Sequence, residues 1–175
     1  PFAPTAVPTP APSATPTTTA APSYPWEQTN LLNFSSLAVQ SGAYGGGSQN
    51  ADDGYAFFAR GTGLAISGNT WLAFELASEY VVDDASYLRV DFAQNVACEL
   101  HGVALLADGS SAGANGVEYG TYTNWKFSGS QEWADCDTSV SYTATPGETQ
   151  TLTVSLASNE GMSVAALGFF NDCDS

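Results

Sequence analysis

Tyr87–Leu106, YLRVDFAQNVACELHGVALL, decides the fold class. Leu88, Val90 and Phe92 alternate with Arg89 and Asp91, the period of two expected of a strand with one buried and one solvated face. A second strand follows, with Glu99 and His101 on one face and Leu100 on the other, before the run turns apolar through Val103 to Leu106. The two halves read as adjacent strands of one sheet whose buried face sets the register around them.

Working outward, further short strands are expected at 34–40, 55–59, 64–67, 71–76, 116–122, 125–127, 139–143, 150–156 and 163–170, with strands at 87–92 and 98–106 in the opening stretch itself. The segments between them, such as GTG, SGN, ADGSSAGANG, TPGE and SNEG, are rich in the residues that turns require. Leu152, Val154 and Leu156 against Thr151, Thr153 and Ser155 give the clearest alternation, and VVDDAS at 81–86 is the one place for a helical turn. Many short strands at this spacing predict an all-β chain, an antiparallel β-sandwich of jelly-roll type.

Residues 1–25, PFAPTAVPTPAPSATPTTTAAPSYP, hold eight of the nine prolines and no charge. Proline fixes φ and removes a backbone donor, so an extended polyproline II arm is expected there, with the sandwich domain at 26–175. At about 3.1 Å per residue the arm would reach roughly 70 Å. Phe2 and Val7 are its apolar side chains for docking on another surface, and it otherwise reads as an inter-domain linker. Thr5, Thr9, Ser13, Thr15, Thr17, Thr18 and Thr19 make it an O-glycan acceptor in a secreted protein, and Asn33-Phe34-Ser35 is the sole N-glycosylation sequon.

The net charge of -15, from 3 basic and 18 acidic residues, argues against nucleic acid and against an anionic membrane surface. No apolar run approaches the roughly 20 residues that cross a bilayer. Opening at Pro1, without an initiator Met or a signal-peptide pattern, the chain reads as a processed mature form. Cys98, Cys136 and Cys173 are too widely spaced for a zinc ribbon. One disulfide is expected in an extracellular setting, with all three pairings open and one thiol left over.

Three groups of residues carry candidate chemistry. Glu99 and His101, two apart on a strand, could bond each other, a sugar hydroxyl or a metal, or merely orient a loop. Asp52-Asp53 and Asn171-Asp172 offer oxygens to calcium, although solvated turn residues have the same composition. Trp71 and Trp125, with Tyr119, could stack on pyranose rings, or they could be core. No nucleophile stands in a recognisable catalytic setting, and a non-enzymatic protein is expected.

CELHGVALLADGS at 98–110, VEYGTYTNW at 117–125, SYTATPGE at 141–148 and ALGFFNDCD at 166–174 resemble, in order and spacing, a β-sandwich module attached to secreted polysaccharide-degrading enzymes. SGNTWLAFEL at 67–76 is similar to its G-N-x-W-K strand. The resemblance implies a carbohydrate-binding module, with Glu99, His101, Tyr119, Asn171 and Asp172 at the matching positions. Cys98 stands in place of that family's Gly, Leu106-Ala107 in place of its F-D, and Leu72 in place of its Lys. Two functions are therefore expected to compete. One is a subunit of an extracellular glycoprotein fibre, the arm of one copy on the sandwich of the next; the other is a carbohydrate-binding module with its linker.

Overall fold

The computed structural model describes residues 32–41, 54–111, 118–132 and 136–173, apart from the side chains of 40–41, 108–111 and 118–122. The expected arm at 1–25 and its boundary at 26 lie outside the described residues, as do Phe2, Val7 and the seven candidate O-glycan positions. The described chain is all-β. Its only helical backbone consists of three single 3-10 turns, at Phe34–Ser36, Ala59–Gly61 and Ala157–Asn159.

Ten strands follow in chain order: β1 (Val39–Ser41), β2 (Tyr55–Phe58), β3 (Gly63–Ile66), β4 (Thr70–Val81), β5 (Tyr87–Phe92), β6 (Leu100–Ser111), β7 (Glu118–Ser128), β8 (Cys136–Asp137), β9 (Gln150–Ser155) and β10 (Ser163–Asp172). Six form a central sheet in the order β1-β4-β10-β6-β7-β8, while β2 pairs with β3 and β5 with β9 in two small sheets. All described pairings are antiparallel except β7 with the two-residue β8, so the central sheet is mixed where an antiparallel one was expected.

β5 and β6 are not neighbours, contrary to the opening expectation. β5 pairs with β9 across 60 residues of chain, Leu88 opposite Val154 and Val90 opposite Leu152. β6 lies between β10 and β7. The two halves of the deciding stretch thus belong to different sheets that meet face to face. Val103 and Leu105 of β6 and Trp125 and Phe127 of β7 bury against Leu152 and Val154 of β9, with Leu88, Val90 and Phe92 of β5 packed alongside. Each such side chain contributes about 1.5–3 kcal/mol on burial, so this interface is a main source of stability.

Farther along the same face, Leu72 and Phe74 of β4 bury with Phe34, against Tyr55, Leu64 and Ile66 of the β2–β3 sheet. Phe34 was expected to begin a strand. Instead it sits in a 3-10 turn that drives its ring edge-on against Phe74 and Phe169, with centroids 5.1 and 5.3 Å away. The expected helical turn at 81–86 is a hydrogen-bonded turn closed by Ser86 N–H on the Asp83 carbonyl, 3.2 Å.

The opposite face of the central sheet is also apolar. Trp71 and Ala73 of β4, Leu100, Ala104 and Leu106 of β6, and Ala166 and Phe170 of β10 form one buried cluster. No described residue of the two small sheets belongs to it. Gly102 makes this face possible: a Cβ there would meet the Trp125 carbonyl at 2.0 Å and the Phe170 ring at 2.4 Å. Phe170 lies over that gap, and Trp71 stacks on Phe170 at 5.0 Å with 22° between the rings.

Candidate functional site

The start of β6 and the end of β10 run side by side, Leu100 opposite Asp172 and His101 opposite Asn171. One step beyond the ladder, Glu99 N–H donates to the Asp172 carbonyl at 2.9 Å. This brings Cys173, just past β10, against Cys98, two residues before β6. Their α-carbons are 4.9 Å apart, and they form a disulfide between residues 75 apart in sequence. Of the three pairings left open by the sequence, this is the one formed, and Cys136, half-buried in β8, stands outside it.

His101 is enclosed beside this bridge. It is only 7% exposed, with the Phe92 ring tilted against it at a centroid distance of 6.0 Å. Cys98 N–H donates to His101 Nε2 at 3.3 Å, so Nε2 presents a lone pair and a neutral ring carries its proton on Nδ1. Burial holds the imidazole below its ordinary pKa, while hydrogen bonds with the Asn171 side chain and the Val96 backbone pull the other way and only partly offset it. Glu99, the expected partner on the same face, is half-buried ahead of β6 and is not among the ring's polar contacts. The expected pair is corrected accordingly: the ring's companions are Cys98, Asn171 and Val96.

Asn171 and Asp172 close β10. They are consecutive residues of a strand, so their side chains leave opposite faces of the sheet. The Asn171 amide donates to the Gly68 carbonyl in the β3–β4 turn, and both residues are buried. Asp52 and Asp53, the other expected calcium ligands, lie outside the described residues. What does converge is a different set. One donor atom each from Cys98, His101 and Cys173 lie within 4.8 Å of one another, and two of the three belong to the disulfide. The C-x-x-H spacing of Cys98 and His101 was the sequence signal for it.

The aromatic platform is also corrected. Trp71 is 4% exposed and Trp125 1%, so neither offers a face to a sugar ring. Alternation away from Leu72 and Phe74 suggested exposure of Trp71, but a sheet buried on both faces has no solvent side at this point. Tyr119 falls in β7, with its side chain outside the described set. Among the described residues the exposed large aromatics lie elsewhere: Phe57 and Phe58 in β2, Tyr80 near the end of β4, and Tyr87 at the start of β5.

The sequon is accessible. Asn33 and Ser35 are exposed while Phe34 between them is buried, and Ser35 Oγ donates to Asn33 Oδ1 at 2.8 Å. The 3-10 turn produces this arrangement by turning the aromatic residue inward and the two polar ones outward. No helix of the described residues is long and apolar enough to cross a membrane. No protein-family model, no curated protein and no solved structure matches the chain.

Proposed function

We propose that the protein is a non-enzymatic extracellular structural glycoprotein, a jelly-roll β-sandwich whose copies assemble into a fibre. The Pro/Thr-rich arm of one copy lies on the sandwich of the next. The observation that supports this reading is the apolar surface that the described strands leave exposed. Phe57 and Phe58 of β2, Tyr80 and Val81 of β4 and Tyr87 of β5 are large apolar side chains that face water. Exposed apolar side chains of this kind suit an extended, uncharged chain such as residues 1–25, with Phe2 and Val7 as its anchors. A segment of one copy on a surface of the next is a heterologous contact, which propagates openly into filaments.

Two further observations support the setting. A disulfide between Cys98 and Cys173 suits an oxidising, extracellular compartment, and the exposed Asn33 suits a glycan-bearing surface. Burial of Trp71 and Trp125 removes the stacking surface that a carbohydrate-binding module would use, which favours the fibre over that alternative.

The test compares the full chain with its Phe2→Ser/Val7→Ser double variant by negative-stain microscopy, alongside intact-mass measurement for glycans. Filaments from the parent and dispersed particles from the variant are expected. Dispersed parent particles that sediment with insoluble polysaccharide would overturn the reading in favour of a carbohydrate-binding module.

A further inference from the structure

We propose that reducing the Cys98–Cys173 disulfide converts this corner of the sheet into a three-ligand site, two thiolates and one imidazole, for a borderline divalent cation of the zinc class. The donor atoms of Cys98, His101 and Cys173 already lie within 4.8 Å of one another. Tetrahedral zinc, with bonds of about 2.3 Å to sulfur and 2.0–2.1 Å to nitrogen, places its sulfurs about 3.8 Å apart. The site therefore needs the two sulfurs to swing apart by rotation of their side chains. It does not need the backbones to move.

The backbone positions are held by more than the bridge. The β6–β10 ladder and the Glu99 N–H bond to the Asp172 carbonyl hold Cys98 and Cys173 side by side without it. The imidazole is aimed as well, since Nε2 directs its lone pair at the Cys98 segment, and the cation takes that lone pair in place of the Cys98 N–H, which passes to solvent. The rest of the ring is fixed by Asn171, Val96 and Phe92, the kind of outer contact that orients a ligating histidine. Two sulfurs and one imidazole nitrogen, with a fourth position left for water, form a donor set that suits zinc and not calcium or magnesium.

The chemistry balances. A low-molecular-weight thiol reductant supplies two electrons and two protons, is itself oxidised to a disulfide, and leaves two protein thiols. The cation then displaces the two thiol protons to solvent as its two metal–sulfur bonds form. In the oxidised protein both sulfurs are committed to each other and the site is closed. Metal uptake would thus report the redox state of the surroundings.

The experiment uses the full chain with Cys136→Ser, which leaves Cys98 and Cys173 as its only thiols, reduced with a phosphine that is then removed under anaerobic conditions. Titration with Co²⁺ should give a thiolate-to-cobalt charge-transfer band that saturates at a single equivalent and is abolished by Zn²⁺. The oxidised protein should show none. His101→Gln should weaken uptake by about tenfold or more. Far-UV circular dichroism is followed in the same samples, and a reduced apoprotein that has lost structure should regain it as Co²⁺ binds. No band in the reduced protein, unchanged affinity in His101→Gln, or binding to an unfolded chain without recovery of structure would each overturn the proposal.

Discussion

Gly102→Ala is the sharpest test of how the central sheet is built. The added Cβ would lie 2.0 Å from the Trp125 carbonyl oxygen, 2.4 Å from Phe170 Cζ and 2.7 Å from Phe170 Cε2. Real Cβ contacts of this kind begin beyond 3.0 Å, so something must shift by about an ångström. The Phe170 ring is pinned under Trp71, and the carbonyl belongs to the backbone of β7. Neither yields cheaply. Overpacking of a core costs about 1–3 kcal/mol when side chains can rearrange, and a backbone obstacle places this variant at or above the top of that range.

A loss of about 3 kcal/mol corresponds to a fall in Tm of roughly 6–12 °C for a domain of this size. It should appear as a lower urea midpoint with an unchanged m-value. Thr153→Ala, on the solvated face of β9, serves as the control and should stay within about 0.5 kcal/mol of the parent. Adding Phe170→Leu to Gly102→Ala separates the two obstacles. It should recover only part of the loss, because the carbonyl remains. A single variant within 1 kcal/mol of the parent, or full rescue by the second change, would refute the claim that β6 and β7 approach too closely here for any side chain.

Three other expectations follow from named contacts. The His101 ring has its folded-state pKa depressed by burial, so below about pH 6.5 the unfolded chain binds the extra proton first. Stability should be flat in this respect above that pH. Below it the loss is up to about 1.4 kcal/mol per pH unit until the folded ring is protonated, and His101→Gln should remove this limb from denaturation curves between about pH 5.5 and 7.5. Tyr142→Phe removes a buried hydroxyl that lies 2.7 Å from both the Thr145 and Glu148 carbonyls. It should cost about 1–2 kcal/mol and speed hydrogen exchange at the Gly147 and Glu148 amides; no change in exchange would count against the hydroxyl as the clamp of that turn. Cys98→Ser/Cys173→Ser opens a loop closed across 75 residues and should lower stability by about 4 kcal/mol, measured by denaturant unfolding under oxidising conditions.

How much of this was legible in the sequence follows from which faces meet water. The segments expected at 87–92 and 150–156 match β5 and β9 to within a residue, because each has one solvated face to enforce alternation. The same alternation cannot say which strand is the partner, and proximity in sequence suggested β6 where the structure has β9. The first half of β4 and much of β10 are buried on both faces, so parity there separates two apolar layers instead of core from solvent. That is why Trp71 was placed on the wrong side of the argument. The strand expected at 139–143 failed for another reason. The Gln150 side chain accepts from the Thr143 and Ala144 amides, at 2.8 and 3.1 Å, and donates to the Ser141 carbonyl, so one amide side chain takes the bonds a ladder would have used.

The site divides along the same line. His101 stood out from composition alone, as the single histidine of the chain beside a carboxylate. Its true companions come from strand register, since only the β6–β10 ladder brings Asn171 opposite it and Cys173 next to Cys98. Register depends on which apolar faces are paired across the whole sheet, and no local pattern contains it. A chain with few charged groups and a sheet apolar on both sides is thus most opaque to sequence reading where its chemistry is concentrated. The ends of the central strands, where the ladder stops and polar residues are trapped beside it, are where the local rules yield to the global pairing.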